Sequence, residues 1–203
     1  MRRHGELQPK KIQFVDAGTS GGVWDLTEGF SMMIGGDKDA VDRLASIFRT
    51  LAPGPEAGWG HVGPAGAGHF VKKVHNGIEY AIMQAYAEGL DLLRHKSEFN
   101  LDLLQVSEIW PFGSVIRSWL VDLTADALTR NPSLKGIEAF VTDSGEGRWT
   151  AIEGIELGGP TPALTAALDA RFRSQDPEPF ANKLLAMMRH GFGGRAVKTE
   201  PQK

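Results

Sequence analysis

The sequence predicts a mainly helical protein with a small α/β portion at its beginning, and two observations support this fold class. Residues 63–94 keep a sustained helical period, and further helical patterns continue to about His190. Two short apolar runs, residues 12–16 and 30–36, have the length of strands and are bordered by turn or helix-start residues. A chain of 203 residues can bury one good core, or one domain with part of a second.

The first part of the chain is predicted to contain a strand, a loop, a second strand and a helix. IQFVD at 12–16 is a short strand, AGTSGG at 17–22 a glycine-rich loop, and FSMMIGG at 30–36 a buried strand. The loop is typical of a ligand site, although an ordinary tight turn explains it equally well. Asp37 is a plausible N-cap for the helix that follows, and residues 53–64 form a Gly/Pro-rich connection with room for one short strand.

The central helix, within residues 63–94, has two faces. One is predicted to be apolar (Val71, Val74, Ile78, Ala81, Ile82, Ala85) and the other polar (Lys72, His75, Asn76, Glu79, Tyr80, Met83). An amphipathic surface helix commonly shows such a pattern, but His, Asn, Tyr and an interior Gly77 are poor helix formers. Lys72 and Glu79 lie two turns apart on one stripe, so a base and an acid face one volume, which indicates an active site.

The start of this helix carries only small residues, Gly66, Ala67 and Gly68. Small residues allow another backbone, a phosphate or a carboxylate to approach the free amide groups at a helix N-terminus. The sequence therefore predicts a close contact at this point. The glycines of GPAGAG do not match the G-x-G-x-x-G order of a dinucleotide-binding loop and follow no convincing strand.

The remainder of the chain is predicted to be helical. Residues 101–130 form helices broken near Pro111 and Gly113, and this run ends at Asn131. Its predicted core residues are Trp110, Phe112, Ile116, Trp119, Leu120 and Leu123. Later elements are a turn and helix start in DSGEGRWTA at 143–151, a helix at 160–175, and a helix to about His190 before a flexible GFGG tail.

Composition excludes several classes of function. The net charge of −3 gives no basic field for nucleic acid or acidic lipid, and the absence of cysteine excludes disulfide and thiolate chemistry. No apolar run reaches the ~20 residues of a membrane helix, and MRRHGELQPKK lacks the apolar region of a signal peptide. We therefore expect a cytoplasmic protein that binds neither nucleic acid nor membrane.

The run GAGHFVKKVHNGIEYAIMQ resembles the catalytic helix of the decarboxylating 6-phosphogluconate dehydrogenases, specifically their shorter branch. This resemblance implies that Lys72 is the general base and Glu79 the general acid. It also implies that His75, Asn76 and Tyr80 bind the substrate.

The same resemblance implies further substrate contacts. Ser20, Gly21 and Gly22 match a T-S-G-G run that presents its serine and glycines to the sugar acid. Ser144 stands where the longer branch of the family has a lysine that touches the substrate phosphate. Arg171 matches the arginine that holds this phosphate.

The C-terminal tail of the family crosses to a neighbouring subunit and completes its active site. Arg189 is a candidate for the arginine of that tail, and Arg195 stands in place of a histidine. Arginine can bind phosphate but does not titrate near neutral pH. The resemblance thus implies a homo-oligomer, a dimer or tetramer, with tail exchange.

The implied reaction is oxidative decarboxylation of 6-phosphogluconate to ribulose 5-phosphate and CO₂ in the pentose phosphate pathway and gluconate utilization, with NAD or NADP reduced and no metal. Residues 1–58 would be the terminal portion of the Rossmann-like NAD(P)-binding domain, and 59–203 the all-helical substrate-binding and oligomerisation domain. Since G-x-G-x-x-G is missing, we expect the main cofactor-binding residues to be absent from this chain.

Two alternatives remain. One is another β-hydroxy-acid dehydrogenase, such as one acting on hydroxyisobutyrate, which shares the lysine and an asparagine four residues on but lacks HNGIEY and Arg171. The other is a truncated, non-catalytic helical oligomerisation module. Because strands at 12–16 and 30–35 would normally belong to a larger sheet, we expect self-association through residues 1–60.

Overall fold

A computed structural model describes residues 2–199 and shows two compact units. The first unit contains the residues up to Leu101 together with Ser144–Ala166, and the second contains Asp102–Asp143 and the residues from Ala167 onward. The described residues are mainly helical with one small sheet, as the sequence predicts. None of the described helices is long and apolar enough to span a membrane.

The first unit contains the sheet and the long central helix. Its strands are β1 (Val15–Ser20), β2 (Ser31–Gly36) and β3 (Trp59–Gly63). Its helices are α1 (Arg2–Leu7), α2 (Asp25–Glu28), α3 (Lys38–Leu51), α4 (Ala67–His95) and, after the second unit's first segment, α7 (Glu146–Glu156). Short 3-10 turns lie at Gln8–Lys10, Gly22–Trp24 and Ser97–Phe99.

The second unit is built from helices. They are α5 (Leu103–Ile109), α6 (Trp119–Arg130) and α9 (Phe180–Gly193), together with the residues of α8 (Pro162–Ser174) that follow Ala166. The break between α5 and α6 confirms the prediction near Pro111 and Gly113, and α6 ends just before Asn131. The last helix is longer than predicted, because α9 continues past His190 to Gly193.

The three strands form one sheet in the order β1-β2-β3. Strand β1 runs antiparallel to β2, from the pair Val15 and Gly36 to the pair Ser20 and Ser31, whereas β3 runs parallel to β2. Helix α3 covers the sheet, and Met32, Ile34, Val41 and Phe48 form the buried core between them. The buried strand β2, the N-cap position of Asp37 and the short strand β3 confirm the predictions for this part.

The first strand was predicted too early. Pairing with β2 draws residues 17–20 into the ladder, so most of the predicted loop at 17–22 is strand and only Gly21 and Gly22 lie beyond it. The strand before the glycine run, for which the sequence left room without a convincing pattern, forms because parallel pairing with β2 orders Trp59–Gly63. Both differences arise from strand pairing, which local composition does not specify.

The two faces of α4 are not those the sequence predicts. Ile78 and Ile82, assigned to the apolar face, are 49% and 38% exposed, whereas Tyr80 of the polar face is 4% exposed. The reason is that α7 packs against the side of α4 that carries Gly77 and Tyr80. The position of the elements that pack against α4, and not the polarity of its residues, determines which face of the helix is buried.

The predicted core of residues 101–130 is also wrong in part. Phe112, Ile116 and Trp119 are 83%, 41% and 50% exposed. Helix α6 instead buries Val121 and Leu128, which lie seven residues apart on one face, while α5 buries Ser107. The apolar spacing indicated helices correctly but assigned the wrong residues to their interior.

Candidate active site

The N-terminus of α4 is tied to the sheet by a buried carboxylate. Asp16 in β1 is 4% exposed and accepts hydrogen bonds from the backbone amides of Gly66, at 2.5 Å, and His69, at 2.8 Å. The Nδ1 atom of His69 lies 3.0 Å from the same carboxylate. The first amides of a helix have no partner within the helix, so Asp16 satisfies two of them. The close contact predicted at this helix start is confirmed, and of the three groups left open by the sequence a carboxylate binds the amides.

This junction depends on glycines that let backbones touch. A Cβ added at Gly18 in β1 would lie 2.5 Å from the carbonyl oxygen of Gly68 and 2.5 Å from Cβ of Lys72. A Cβ at Gly68 would overlap the carbonyl oxygen of Met33 in β2. Strands β1 and β2 therefore contact the first turns of α4 directly, and β1 lies against the Lys72 side chain.

Lys72 lies in the second turn of α4, and its Nζ atom is 3.4 Å from Nδ1 of His75. Burial lowers the pKa of Lys72 below its ordinary value, although the negative charges of Glu79, Glu146 and Asp25 act in the opposite direction. Burial removes water from the ammonium group and so disfavours the charged form. A larger fraction of this lysine is therefore a neutral amine, the form that can accept a proton.

A cavity of about 530 Å³ lies beside this lysine within the first unit. Its lining includes Asp16, His69, Lys72, Asn76, Glu146 and Trp149. The side-chain oxygen of Asn76 lies 3.2 Å from Nδ1 of His75. The cavity thus places an amine, an amide and a carboxylate around one volume large enough for a small polar molecule.

Contacts with α7 hold the side of α4 that carries Lys73, Gly77 and Tyr80. The hydroxyl of Tyr80 lies 3.1 Å from Oγ of Ser144, which donates a hydrogen bond to Glu146. The hydroxyl of Thr150 donates to the carbonyl of Lys73 at 2.6 Å, and Nζ of Lys73 forms an ion pair with Glu153 at 2.5 Å. Lys73 therefore anchors the two helices, and it lines the cavity together with its neighbour Lys72.

The predicted substrate loop lies at the end of β1. Ser20 is the last residue of β1, and Gly21 and Gly22 have φ angles of 141° and 65°, which favour glycine. The Asp25 carboxylate covers Gly21. Its Oδ1 atom is buried and has no hydrogen-bond partner within residues 2–199. The negative charge of Asp25 also acts on Lys72.

The three predicted phosphate-binding arginines belong to the second unit. Arg171 near the end of α8 donates a hydrogen bond to the carbonyl of Thr142 at 2.8 Å. Arg189 is exposed on α9, and the carbonyl of Arg195 accepts a hydrogen bond of 2.8 Å from His190. Each of these arginines lies on or directly after a helix of that unit.

The first unit brings together most residues selected from the sequence. Lys72 and His75 are in contact, Asn76 joins them, Glu79 acts on Lys72 through its charge, and Tyr80 contacts Ser144. Sequence reasoning missed three carboxylates, which are Asp16, Asp25 and Glu146. Asp16 and Asp25 border the predicted ligand loop, and Glu146 lies within the quoted DSGEGRWT run, but no local pattern indicates what their side chains contact. Among the residues that the structure describes, no three His, Asp or Glu side chains are placed to hold a metal ion.

Comparison with known proteins reveals relatives over almost the whole chain. The family model for the C-terminal domain of 6-phosphogluconate dehydrogenase matches residues 68–189, and that for the NAD binding domain of 6-phosphogluconate dehydrogenase matches residues 1–63. The NAD(+)-dependent, decarboxylating 6-phosphogluconate dehydrogenase of Haloferax volcanii is 42% identical over 185 residues, which cover 91% of this chain and 61% of that protein. The chain therefore spans about three fifths of the length of that curated relative.

Solved structures give the same result. The 6-phosphogluconate dehydrogenase of Plasmodium falciparum matches with a TM-score of 0.77 at 30% identity, over 100% of this chain and 44% of that one. The 3-hydroxyisobutyrate dehydrogenase of Mycobacterium tuberculosis matches with a TM-score of 0.62 at 20% identity, over 86% of this chain and 60% of that one, a likeness of fold alone. With a family model over more than half of its length, the chain belongs to the 6-phosphogluconate dehydrogenase family.

Proposed function

We propose that this chain carries the acid–base and substrate-binding part of the oxidative decarboxylation of 6-phosphogluconate to ribulose 5-phosphate and CO₂. The main observation in support is the Lys72 amine, which has a lowered pKa, lies beside His75 and lines the cavity. The names of the Haloferax and Plasmodium relatives point to the same substrate.

In this proposal Lys72 is the general base. A neutral Lys72 amine accepts the proton of the substrate hydroxyl at the carbon that is oxidised, and it becomes an ammonium group. The charges of Glu79, Glu146 and Asp25 favour that ammonium form once it exists. Burial and carboxylates therefore act in opposite directions, which keeps both forms of Lys72 accessible during a catalytic cycle.

Glu79 is the proposed general acid. After CO₂ leaves, the enediol needs a proton on the carbon that carried the carboxyl group, and Glu79 lies two helical turns after Lys72. His75 and Asn76 contact each other at 3.2 Å and lie between Lys72 and Glu79 in the sequence. They would bind hydroxyl groups of the substrate.

The remaining contacts of the proposed site lie on other elements. Ser20, Gly21 and Gly22 would present a hydroxyl and backbone amides to the sugar acid, and Tyr80 would add a phenol hydroxyl. Arg171, Arg189 and Arg195 are the proposed phosphate ligands, because guanidinium groups bind phosphate in a bidentate manner. As in the tail exchange implied by the family, Arg189 and Arg195 would serve the site of a second copy in a homo-oligomer.

The proposed hydride acceptor is NAD or NADP, which would oxidise the hydroxyl-bearing carbon of the substrate. The NAD(+)-dependent name of the Haloferax relative and the matching NAD binding family model support this proposal. The glycine-rich start of α4 does not fit the dinucleotide phosphates, because Asp16 already binds the amides of Gly66 and His69. The amides at this helix start are therefore not available to the phosphates of a dinucleotide.

The test is a calorimetric titration of 6-phosphogluconate into the purified chain and its variants. We expect measurable binding to the wild type, and Arg171→Ala should weaken it about tenfold or more, because a charge-assisted hydrogen bond contributes roughly 1.5–3 kcal/mol. Lys38→Ala is the matched control, since Lys38 pairs with Asp42 on the exposed surface of α3. If the folded wild-type chain produces no binding heat, the proposed function is wrong for this chain.

A further inference from the structure

Glu146 lines the cavity beside Lys72 and Asn76, yet the proposed reaction gives it no contact with the substrate. It is the first residue of α7, where the helix dipole favours a negative charge. It lines the same cavity as Lys72, and its negative charge favours the ammonium form of that lysine.

The hydrogen-bond direction around Glu146 follows from the chemistry of its partners. A carboxylate only accepts, so the single hydroxyl hydrogen of Ser144 is donated to Glu146. Ser144 can then only accept from Tyr80, whose hydroxyl lies 3.1 Å away. The tyrosine ring packs on Gly147, where an added Cβ would lie 2.5 Å from Cδ2 of Tyr80. Tyr80 therefore donates to Ser144, Ser144 donates to Glu146, and the last acceptor of this chain of hydrogen bonds is the Glu146 carboxylate.

This arrangement is unfavourable for a phosphate at Ser144. Phosphate oxygens accept hydrogen bonds and carry negative charge, and at Ser144 they would meet a hydroxyl whose hydrogen is already donated. They would also lie beside the Glu146 carboxylate, and like charges at contact distance repel. A sugar hydroxyl has the opposite property, since it can donate a hydrogen bond directly to that carboxylate.

We propose, on the basis of the function above, that Glu146 is a specificity-determining residue that accepts a hydrogen bond from a hydroxyl group of the sugar acid. The corner formed by Ser144 and Glu146 then holds the hydroxyl-bearing chain of the substrate and not its phosphate. The phosphate is bound by cationic side chains instead, and Ser144 positions Glu146 without touching the phosphate.

The test compares the dissociation constants of 6-phosphogluconate for the wild type, Glu146→Gln and Ser144→Ala. We expect Glu146→Gln to weaken binding about tenfold, the usual effect of replacing a charged acceptor by a neutral one. Ser144→Ala should change it by less than about threefold, since a neutral hydrogen bond that only positions another group contributes little. Glu156→Gln at the exposed end of the same helix is the control and should leave binding unchanged.

Three results would overturn this inference. Tighter binding by Glu146→Gln would indicate relief of repulsion at a phosphate site, and unchanged binding would show that Glu146 has no contact with the ligand. A tenfold loss in Ser144→Ala would show that the serine is the ligand contact. If Glu146→Gln does not fold, Glu146→Asp withdraws the carboxylate by one methylene and should also weaken binding. Absence of binding to the wild type would instead refute the proposed function itself.

Discussion

Lys72 and Lys73 are adjacent in sequence but differ in their surroundings. Lys73 forms a close ion pair with Glu153, so its ammonium form has a direct partner. Lys72 has His75 as its polar neighbour at 3.4 Å, and burial lowers its pKa. The one-residue offset rotates the two side chains by about 100° around the helix, so Lys73 reaches Glu153 of α7 whereas Lys72 lies beside His75.

The lowered pKa of Lys72 predicts a distinct chemical reactivity. Amine-directed acylation requires the neutral form, so Lys72 should react faster than an ordinary exposed lysine at pH 8 to 9, and its rate should level off at a lower pH. Lys38 is the internal reference, because its hydrogen bond to Asp42 raises its pKa. Mass spectrometry of the modified peptides measures both rates in one sample. Equal pH profiles for the two lysines would contradict the prediction.

At the scale of elements, the packing of α4 against α7 decides the geometry of the site. Gly77 faces Thr150, and an added Cβ would lie 2.6 Å from its Cγ2 atom. This contact explains why a poor helix former stands in the middle of a 29-residue helix. The same packing brings the Tyr80 hydroxyl within 3.1 Å of Ser144, which in turn contacts Glu146. These residues form one wall of the proposed site.

Two glycine substitutions in α4 test this packing. Gly77→Ala should destabilise the protein by about 1–3 kcal/mol, because the added methyl group overlaps Thr150 despite the better helix propensity of alanine. Gly89→Ala lies in the same helix with open space around it, and should stabilise it by about 0.5–1 kcal/mol. Urea unfolding measures both free energies. A stabilising effect of Gly77→Ala would show that the two helices do not pack this closely.

Taking the first unit as a whole, Asp16 connects strand β1 to a helix start fifty residues later. Burial alone would raise the pKa of Asp16, but hydrogen bonds from the amides of His69 and Gly66 and the nearby His69 ring outweigh it and lower the value. A carboxyl group with a lowered pKa stabilises the folded state at pH values above its unfolded pKa, and this contribution is lost as the pH falls through its folded pKa.

The stability of the Asp16→Asn variant should therefore depend on pH in a defined way. At neutral pH we expect a loss of about 1–3 kcal/mol, because the amide leaves at least one buried donor without its acceptor. The difference from the wild type should begin to shrink as the pH falls below about 4, where Asp16 of the unfolded chain takes up a proton, and it should disappear as the pH falls through the lowered pKa of folded Asp16. Thermal unfolding between pH 7 and pH 2.5 measures this difference. A difference that stays constant over this range would contradict the assigned role of Asp16.

Local patterns were sufficient to predict much of this protein. The helical character, strand β2, the N-cap position of Asp37 and the two-turn spacing of Lys72 and Glu79 depend on residues close together in sequence. Periodicity and capping act within a few residues, so these features can be read from the chain itself.

Tertiary structure alone decided which surfaces meet. It extended β1 through Ser20 by pairing it with β2, buried Tyr80 where the pattern favoured Ile78, and left Trp119 half exposed. It also placed Glu146 beside Lys72, and Asp16 at the start of α4. These contacts join residues separated by tens of positions, and their energies depend on shape and hydrogen-bond partners that only the folded chain brings together.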